Sequence, residues 1–205
     1  MNKVILDETK EIVPSKVVCI ARNYSDHIKE LKNTVPQEMV FFLKPNASIS
    51  DSLIFPKKEV NCHYEAEISF LLFNNQIAAV GFGLDLTLRD RQAVLKDKGL
   101  PWERAKAFRK SAVFSKFVSF AQDLDGLEVE LNINGELRQK GGVSLMLHKP
   151  LQVLQEASSF LDLEDGDILM TGTPSGVGAF QVGDRFLGRI LNHGQPLVET
   201  SWDVL

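Results

Sequence analysis

The stretch "CHYEAEISFLL", residues 62–72, makes two demands that are hard to meet together. Its second half, Ile68 to Leu72, has the apolar character of a buried strand. Its first half puts His63, Glu65 and Glu67 on one side of that strand and Tyr64, Ala66 and Ile68 on the other, because successive side chains alternate. Two carboxylates about 4 Å apart repel by about 1 kcal/mol in water and about 4 kcal/mol at an intermediate protein dielectric. Such a face is either open to solvent or holds something positive. The specific candidate is a hard cation bound through oxygen.

Outward from this strand, strands outnumber helices. "KVVCIA" (16–21) is β-branched and reads as a strand, and "MVFFLKP" (39–45) reads as another, ended by Pro45. Between them "NYSDHIKELKN" (23–33) reads as a short helix capped by Ser25. "IAAVGFGLDL" (77–86) is a strand whose glycines suggest a bend or a close backbone approach, and "TLRDRQAVLKDKG" (87–99) is a helix that stops before Pro101. "AVFSKFVSF" (112–120) follows as a strand. "LEVELNINGELRQKG" (127–141) is a hairpin turning at Asn134-Gly135. A helix over 150–160 and strands over 167–174, 184–191 and 196–205 complete the chain, the last two joined by "NHGQ". The elements do not alternate regularly, which predicts an α+β fold on a mixed or antiparallel sheet or roll.

At 205 residues the chain fits one domain, 1–205, with enough length for a sizeable core. A net charge of −4 argues against a nucleic-acid partner, whose binding surface would be basic. The N-terminus lacks the apolar core of a signal peptide and no apolar run reaches membrane-spanning length, so a soluble, cytoplasmic protein without a membrane partner is expected. Cys19 and Cys62 fall in strand-like runs and read as buried free thiols.

Four further features bear on chemistry. Asp85 ends an apolar strand, where an acid commonly serves as a cap or turn residue. If it met Glu65 and Glu67 in space, three oxygen donors with no thiolate would suit Mg²⁺ or Mn²⁺, whereas zinc would more often recruit cysteine or histidine. His27 and Glu30 stand three apart on a predicted helix, so they can touch; the pair is a solvated helix face or a general base oriented by a carboxylate. Lys106 is one of four basic residues between 104 and 110. "TGTPSGVG" (171–178) lacks the spacing of a phosphate-binding loop, though its hydroxyls and amides could bind an anion.

Together, "ARNYSDHIKEL", "FFLKP", "HYEAE", "LDLTLRDRQ", "GLPWERAKAF", "NGELRQ" and "DILMTGTPSGVG" resemble the fumarylacetoacetate hydrolase family. The similarity is closest to its short acylpyruvate hydrolase and oxaloacetate decarboxylase branch. The resemblance implies a mixed β-roll with peripheral helices, a homodimer, and a divalent cation, Mg²⁺ or Mn²⁺, on Glu65, Glu67 and Asp85, with His63 nearby. It implies His27 and Glu30 as a water-activating pair and Lys106 as stabiliser of an enolate. Lys44, Arg89, Gln92, Thr173 and Arg22 match positions that contact substrate oxygens. The implied activity is cleavage of a carbon–carbon bond in acylpyruvate-type 2-oxo acids, with decarboxylation of oxaloacetate also open. The alternatives are isomerisation or decarboxylation of muconate-type dioic acids, and noncatalytic binding of a metal or small acid. Two departures stand out: Ala21 precedes "RNY" where relatives often have Gly, and only residues 68–84 separate Glu67 from Asp85, so a helical excursion usual in the family is missing.

Overall fold

The computed structural model describes residues 1–31, 34–56, 61–121 and 123–205. The strands in chain order are β1 (Val4–Leu6), β2 (Lys10–Ile12), β3 (Lys16–Ala21), β4 (Val40–Pro45), β5 (Ile49–Ser50), β6 (Cys62–Tyr64), β7 (Ala66–Phe73) and β8 (Gln76–Asp85). They continue with β9 (Thr87–Leu88), β10 (Ala112–Ser119), β11 (Leu127–Ile133), β12 (Glu136–Gly142), β13 (Ile168–Met170), β14 (Gly178–Ala179), β15 (Arg185–Asn192) and β16 (Gln195–Asp203). The helices are α1 (Ser25–Glu30), α2 (Arg89–Asp97), α3 (Glu103–Lys106) and α4 (Pro150–Phe160).

The expected α+β architecture is present. A nine-stranded mixed sheet runs β2-β1-β10-β8-β7-β13-β3-β4, with β5 pairing on β10; β1, β5 and β13 each make a parallel contact there. An antiparallel four-stranded sheet, β12-β11-β15-β16, packs on one of its faces, and a small sheet, β14-β6-β9, closes one end. Alternation sorts the large sheet into two cores. Val18, Ile20, Phe70, Leu72 and Phe82 face the four-stranded sheet, while Val17, Cys19, Leu71, Phe114 and Phe117 form a second apolar cluster on the other side. Each such side chain contributes about 1.5–3 kcal/mol on leaving water, so both faces of the sheet stabilise the fold. The two sheets approach closely at Gly188, where an added Cβ would lie 2.6 Å from the Phe82 ring.

Turn chemistry sets the registers. Asn74 and Asn75 both have positive φ (50° and 56°) between β7 and β8; Asn134-Gly135 (53°, 83°) and His193-Gly194 (48°, 78°) repeat the pattern. Paired positive φ is the signature of two-residue turns whose twist matches that of the flanking strands. The short link between Glu67 and Asp85 is therefore a direct hairpin.

The structure differs from the sequence reading at several points. The strand read over 62–72 breaks at Glu65: β6 belongs to the small sheet and β7 to the large one. Helix α1 is shorter than 23–33; its N-cap is Tyr24, without a side-chain cap bond, rather than Ser25, and residues 32 and 33 lie outside the described set. Thr87 and Leu88 join β9 before α2 starts, and the strand read over 167–174 ends at Met170. Cys19 and Cys62 are buried and free, and burial pushes the Cys62 thiol up to about 12, so it stays un-ionised. Among the described residues no helix is long and apolar enough to cross a membrane.

Candidate metal and active site

The break at Glu65 places one carboxylate at the joint of two sheets. Glu67 comes from the start of β7 and Asp85 from the end of the neighbouring β8, whose Ala66–Leu84 and Glu67–Gly83 register brings the two strand ends together. A backbone bond from Asp85 N to Glu65 O (2.8 Å) fixes the third corner. One oxygen from each of Glu65, Glu67 and Asp85 lies within 4.8 Å of the others, and all three residues are buried.

Cations surround this floor. Lys106 Nζ, at the end of α3 and 3% exposed, donates to Glu65 Oε2 (2.7 Å), Asp85 Oδ2 (2.5 Å) and Thr87 Oγ1 (2.7 Å), and sits 5.0 Å over the Phe42 ring. Arg89 Nη2 holds Glu65 Oε1 at 2.5 Å, while its Nη1 donates to Gln92 Oε1 at 2.8 Å. Burial alone would raise Glu65, but Lys106 and Arg89 outweigh it and hold its carboxyl well below the usual range. Glu67 is different. Among the described residues no lysine or arginine pairs with it; its Oε2 accepts the Gly172 amide at 2.7 Å, and burial, then Asp85 and Glu65, push its carboxyl well up. Burial lifts Asp85 too, less far, against the pull of Lys106 and Lys44.

A divalent cation fits here. Three buried oxygen donors converge, one of them without a protein cation, and among the described residues Asp85 Oδ1 accepts no hydrogen bond although Lys44 Nζ lies 2.8 Å away as an ion pair. The sulfur-free donor set suits Mg²⁺ or Mn²⁺.

His27 Nδ1 meets Glu30 Oε2 at 3.1 Å, and Glu30 Oε1 accepts the Gly176 amide at 3.0 Å. Gly176 has φ of 98°, and a Cβ there would lie 2.0 Å from the Arg138 carbonyl, so the loop that steadies Glu30 requires glycine.

These groups share one cleft of about 450 Å³, solvent mouth included. His27, Glu65, Glu67, Asp85, Arg89, Gln92, Lys106, Thr173 and Arg22 all line it, Arg22 from a left-handed backbone position (φ 60°). Glu30 stands behind His27. Lys44 does not reach the cleft: it is fully buried, bonded to the carbonyls of Leu86, Lys106 and Ser111 and to Ser111 Oγ, so its place is behind Asp85 rather than against substrate oxygens. Thr173 Oγ1 donates to Ala66 O, which ties the loop after β13 to the carboxylate floor. His63 is turned to Asn61, 2.8 Å from Nε2, outside the donor set. The sequence reading missed Lys96, Trp102, Phe42 and Leu31 as lining residues; only Lys96 had left a signal, lying four residues beyond Gln92 and seven beyond Arg89 on one helix stripe.

Residues 16–200 match the fumarylacetoacetate (FAA) hydrolase C-terminal family, and the chain belongs to it. An oxaloacetate tautomerase of Escherichia coli is 40% identical over 188 residues, 83% of this chain and 86% of that protein. A mitochondrial oxaloacetate tautomerase of Saccharomyces cerevisiae is 36% identical over an alignment of 236 positions, gaps included, that covers 92% of this chain and 91% of its own. The crystal structure of fumarylpyruvate hydrolase from Pseudomonas aeruginosa, in complex with Mn²⁺ and pyruvate, superimposes with a TM-score of 0.88 at 28% identity and covers 100% of this chain and 95% of that one.

Proposed function

We propose that the protein is a divalent-metal enzyme acting on small 2-oxo acids through an enolate, with keto–enol interconversion of oxaloacetate as its leading reaction. The observation that carries this is the convergence of the Glu65, Glu67 and Asp85 carboxylates, the Lys106 ammonium and the His27–Glu30 pair on one small cleft. The names of the two tautomerase relatives support the choice of substrate.

Bound by Glu65, Glu67 and Asp85, Mg²⁺ or Mn²⁺ would supply Lewis-acid polarisation of the 2-oxo group. With Nδ1 engaged by Glu30, Nε2 of His27 is the nitrogen left for proton transfer, and the carboxylate stabilises the imidazolium that forms. His27 takes a proton from C3 of the keto acid, the C2–C3 double bond forms, and a proton is delivered to the 2-oxo oxygen, so the reaction is balanced within the substrate. The Lys106 ammonium, held close by its pairing with Glu65 and Asp85, stabilises the negative charge developing on that oxygen.

The His27–Glu30 pair also favours a second reading, hydrolysis of acylpyruvates, in which His27 deprotonates a water that attacks the distal carbonyl and pyruvate leaves as its enolate. Decarboxylation of oxaloacetate would produce the same enolate by loss of CO₂. The test is a panel of enol-oxaloacetate, keto-oxaloacetate and acylpyruvates with Mg²⁺ or Mn²⁺, following loss of enol absorbance and release of pyruvate. Faster ketonisation than free metal alone produces is the expected result. No acceleration with any member of the panel would end this reading.

A further inference from the structure

Lys44 is fully buried, and a buried ammonium is tolerated only where its charge and its N–H groups are met. Its Nζ lies 2.8 Å from Asp85 Oδ1 and donates to the carbonyls of Leu86 (3.3 Å), Ser111 (3.0 Å) and Lys106, and to Ser111 Oγ (3.0 Å), with the Phe108 ring 5.8 Å away. Lys106, Phe108 and Ser111 all belong to the stretch that carries the Lys106 ammonium into the cleft. That stretch needs outside support. Helix α3 has four residues, far too few to be stable alone, and the last carbonyls of a helix have no partner within it. The Lys106 carbonyl receives Lys44 Nζ and, at 2.7 Å, Ser111 Oγ instead. Asp85 closes a ring, pairing with Lys44 through Oδ1 and with Lys106 Nζ through Oδ2 at 2.5 Å. Phe42, two residues before Lys44 and so on the same face of β4, sets its ring 5.0 Å from Lys106 Nζ. Lys106 is thus held at its carbonyl by Lys44 and at its ammonium by an acid that Lys44 itself pairs with.

Resting on the reading of Lys106 as the stabiliser of enolate charge, we propose that Lys44 is the positioning residue for Lys106: it fixes the end of α3 and one oxygen of Asp85, so that the Lys106 ammonium stays at the carboxylate floor where the charge develops. Lys44 acts through Lys106 and does not meet the substrate. Ser111, which donates to the same Lys106 carbonyl and accepts from Lys44, belongs to the same support.

The experiment compares wild type with Lys44→Met, Ser111→Ala, Lys106→Met and the double variant Lys44→Met/Lys106→Met. Hydrogen exchange of the metal-free proteins reads position without turnover. Lys44→Met should lose protection over 103–111, where the amides of Ala105, Lys106 and Ala107 close α3 and that of Ser111 bonds to the Phe108 carbonyl, while β7 and β8 keep theirs. With Mn²⁺ and oxaloacetate, kcat of Lys44→Met should fall by roughly tenfold to a hundredfold, the scale of a small misplacement of a catalytic group, with KM changed by less than about threefold. The double variant should be within about threefold of Lys106→Met alone, since a residue that acts through Lys106 then has nothing left to position. Ser111→Ala removes one of the two donors to the Lys106 carbonyl and should show the same pattern more weakly, which keeps the test open if Lys44→Met does not fold. Losses that multiply in the double variant, unchanged exchange over 103–111, a defect confined to KM, or equal loss of protection throughout the sheet in both Lys44→Met and Ser111→Ala would overturn the proposal. Loosening of 103–111 in a protein that does not turn over oxaloacetate would leave the positioning role standing and remove the proposed function instead.

Discussion

Replacing Lys106 by methionine keeps most of the length of the side chain and removes its charge from between Glu65 and Asp85. In the metal-free protein this breaks a buried, doubly paired ammonium, with contacts of 2.7 and 2.5 Å. Removing one partner of a buried ion pair costs about 3–5 kcal/mol. At about 2–4 °C per kcal/mol for a domain of this size, the melting temperature in chelator should fall by roughly 6–20 °C. Mn²⁺ would return positive charge to the same oxygens and no longer compete with an ammonium. Lys106→Met should therefore bind Mn²⁺ more tightly than wild type, by roughly tenfold or more at the effective dielectric of a protein site, and gain more melting temperature from it. Thermal melting with chelator or Mn²⁺, paired with calorimetric Mn²⁺ titration, reads both effects. A variant that melts with wild type in chelator, or that binds Mn²⁺ more weakly, would refute the idea that Lys106 neutralises the cage.

Removal of the imidazole in His27→Ala should cut enol–keto conversion and acylpyruvate cleavage by roughly 10²–10⁴, with oxaloacetate decarboxylation less affected; steady-state kcat/KM on each substrate checks this. Gly176→Ala forces a Cβ against the Arg138 carbonyl and disturbs the amide that steadies Glu30, so activity should drop with little loss of Mn²⁺ binding. Helix α1 bears the His27–Glu30 pair and has only six residues, so it should gain hydrogen-exchange protection over 25–30 when oxalate binds the Mn²⁺-loaded protein; unchanged exchange would argue against closure of this helix over the ligand. The family resemblance implies a homodimer, and light scattering should return about twice the 22.9 kDa chain mass.

Much of this site was legible because its signals are local. Period-two alternation brings Glu65 and Glu67 to one side, and an i,i+3 spacing joins His27 to Glu30. Asn134-Gly135 announces its own turn through the φ values it tolerates. What stayed hidden depends on contacts distant in sequence. The break at Glu65 follows from β6 pairing with β9 and β14, partners that no local pattern in residues 62–72 names. Lys44 looks like any lysine at the end of a strand; its burial follows from carbonyls 42, 62 and 67 residues away. Strands β1 and β2 escaped notice because three-residue strands are too short to show a period. Trp102 and Phe42 become cleft walls only once α3 is seated beside β4.

Glu65, Glu67 and Asp85 are proposed to hold the metal on which activity depends. Calorimetric titration of metal-stripped protein with Mn²⁺, wild type beside Glu67→Gln, tests it most directly. One Mn²⁺ per wild-type chain is expected, with enol–keto conversion restored in step with its binding and both lost in a folded Glu67→Gln variant. Full activity of the stripped wild-type protein, or undiminished Mn²⁺ binding by Glu67→Gln, would contradict it.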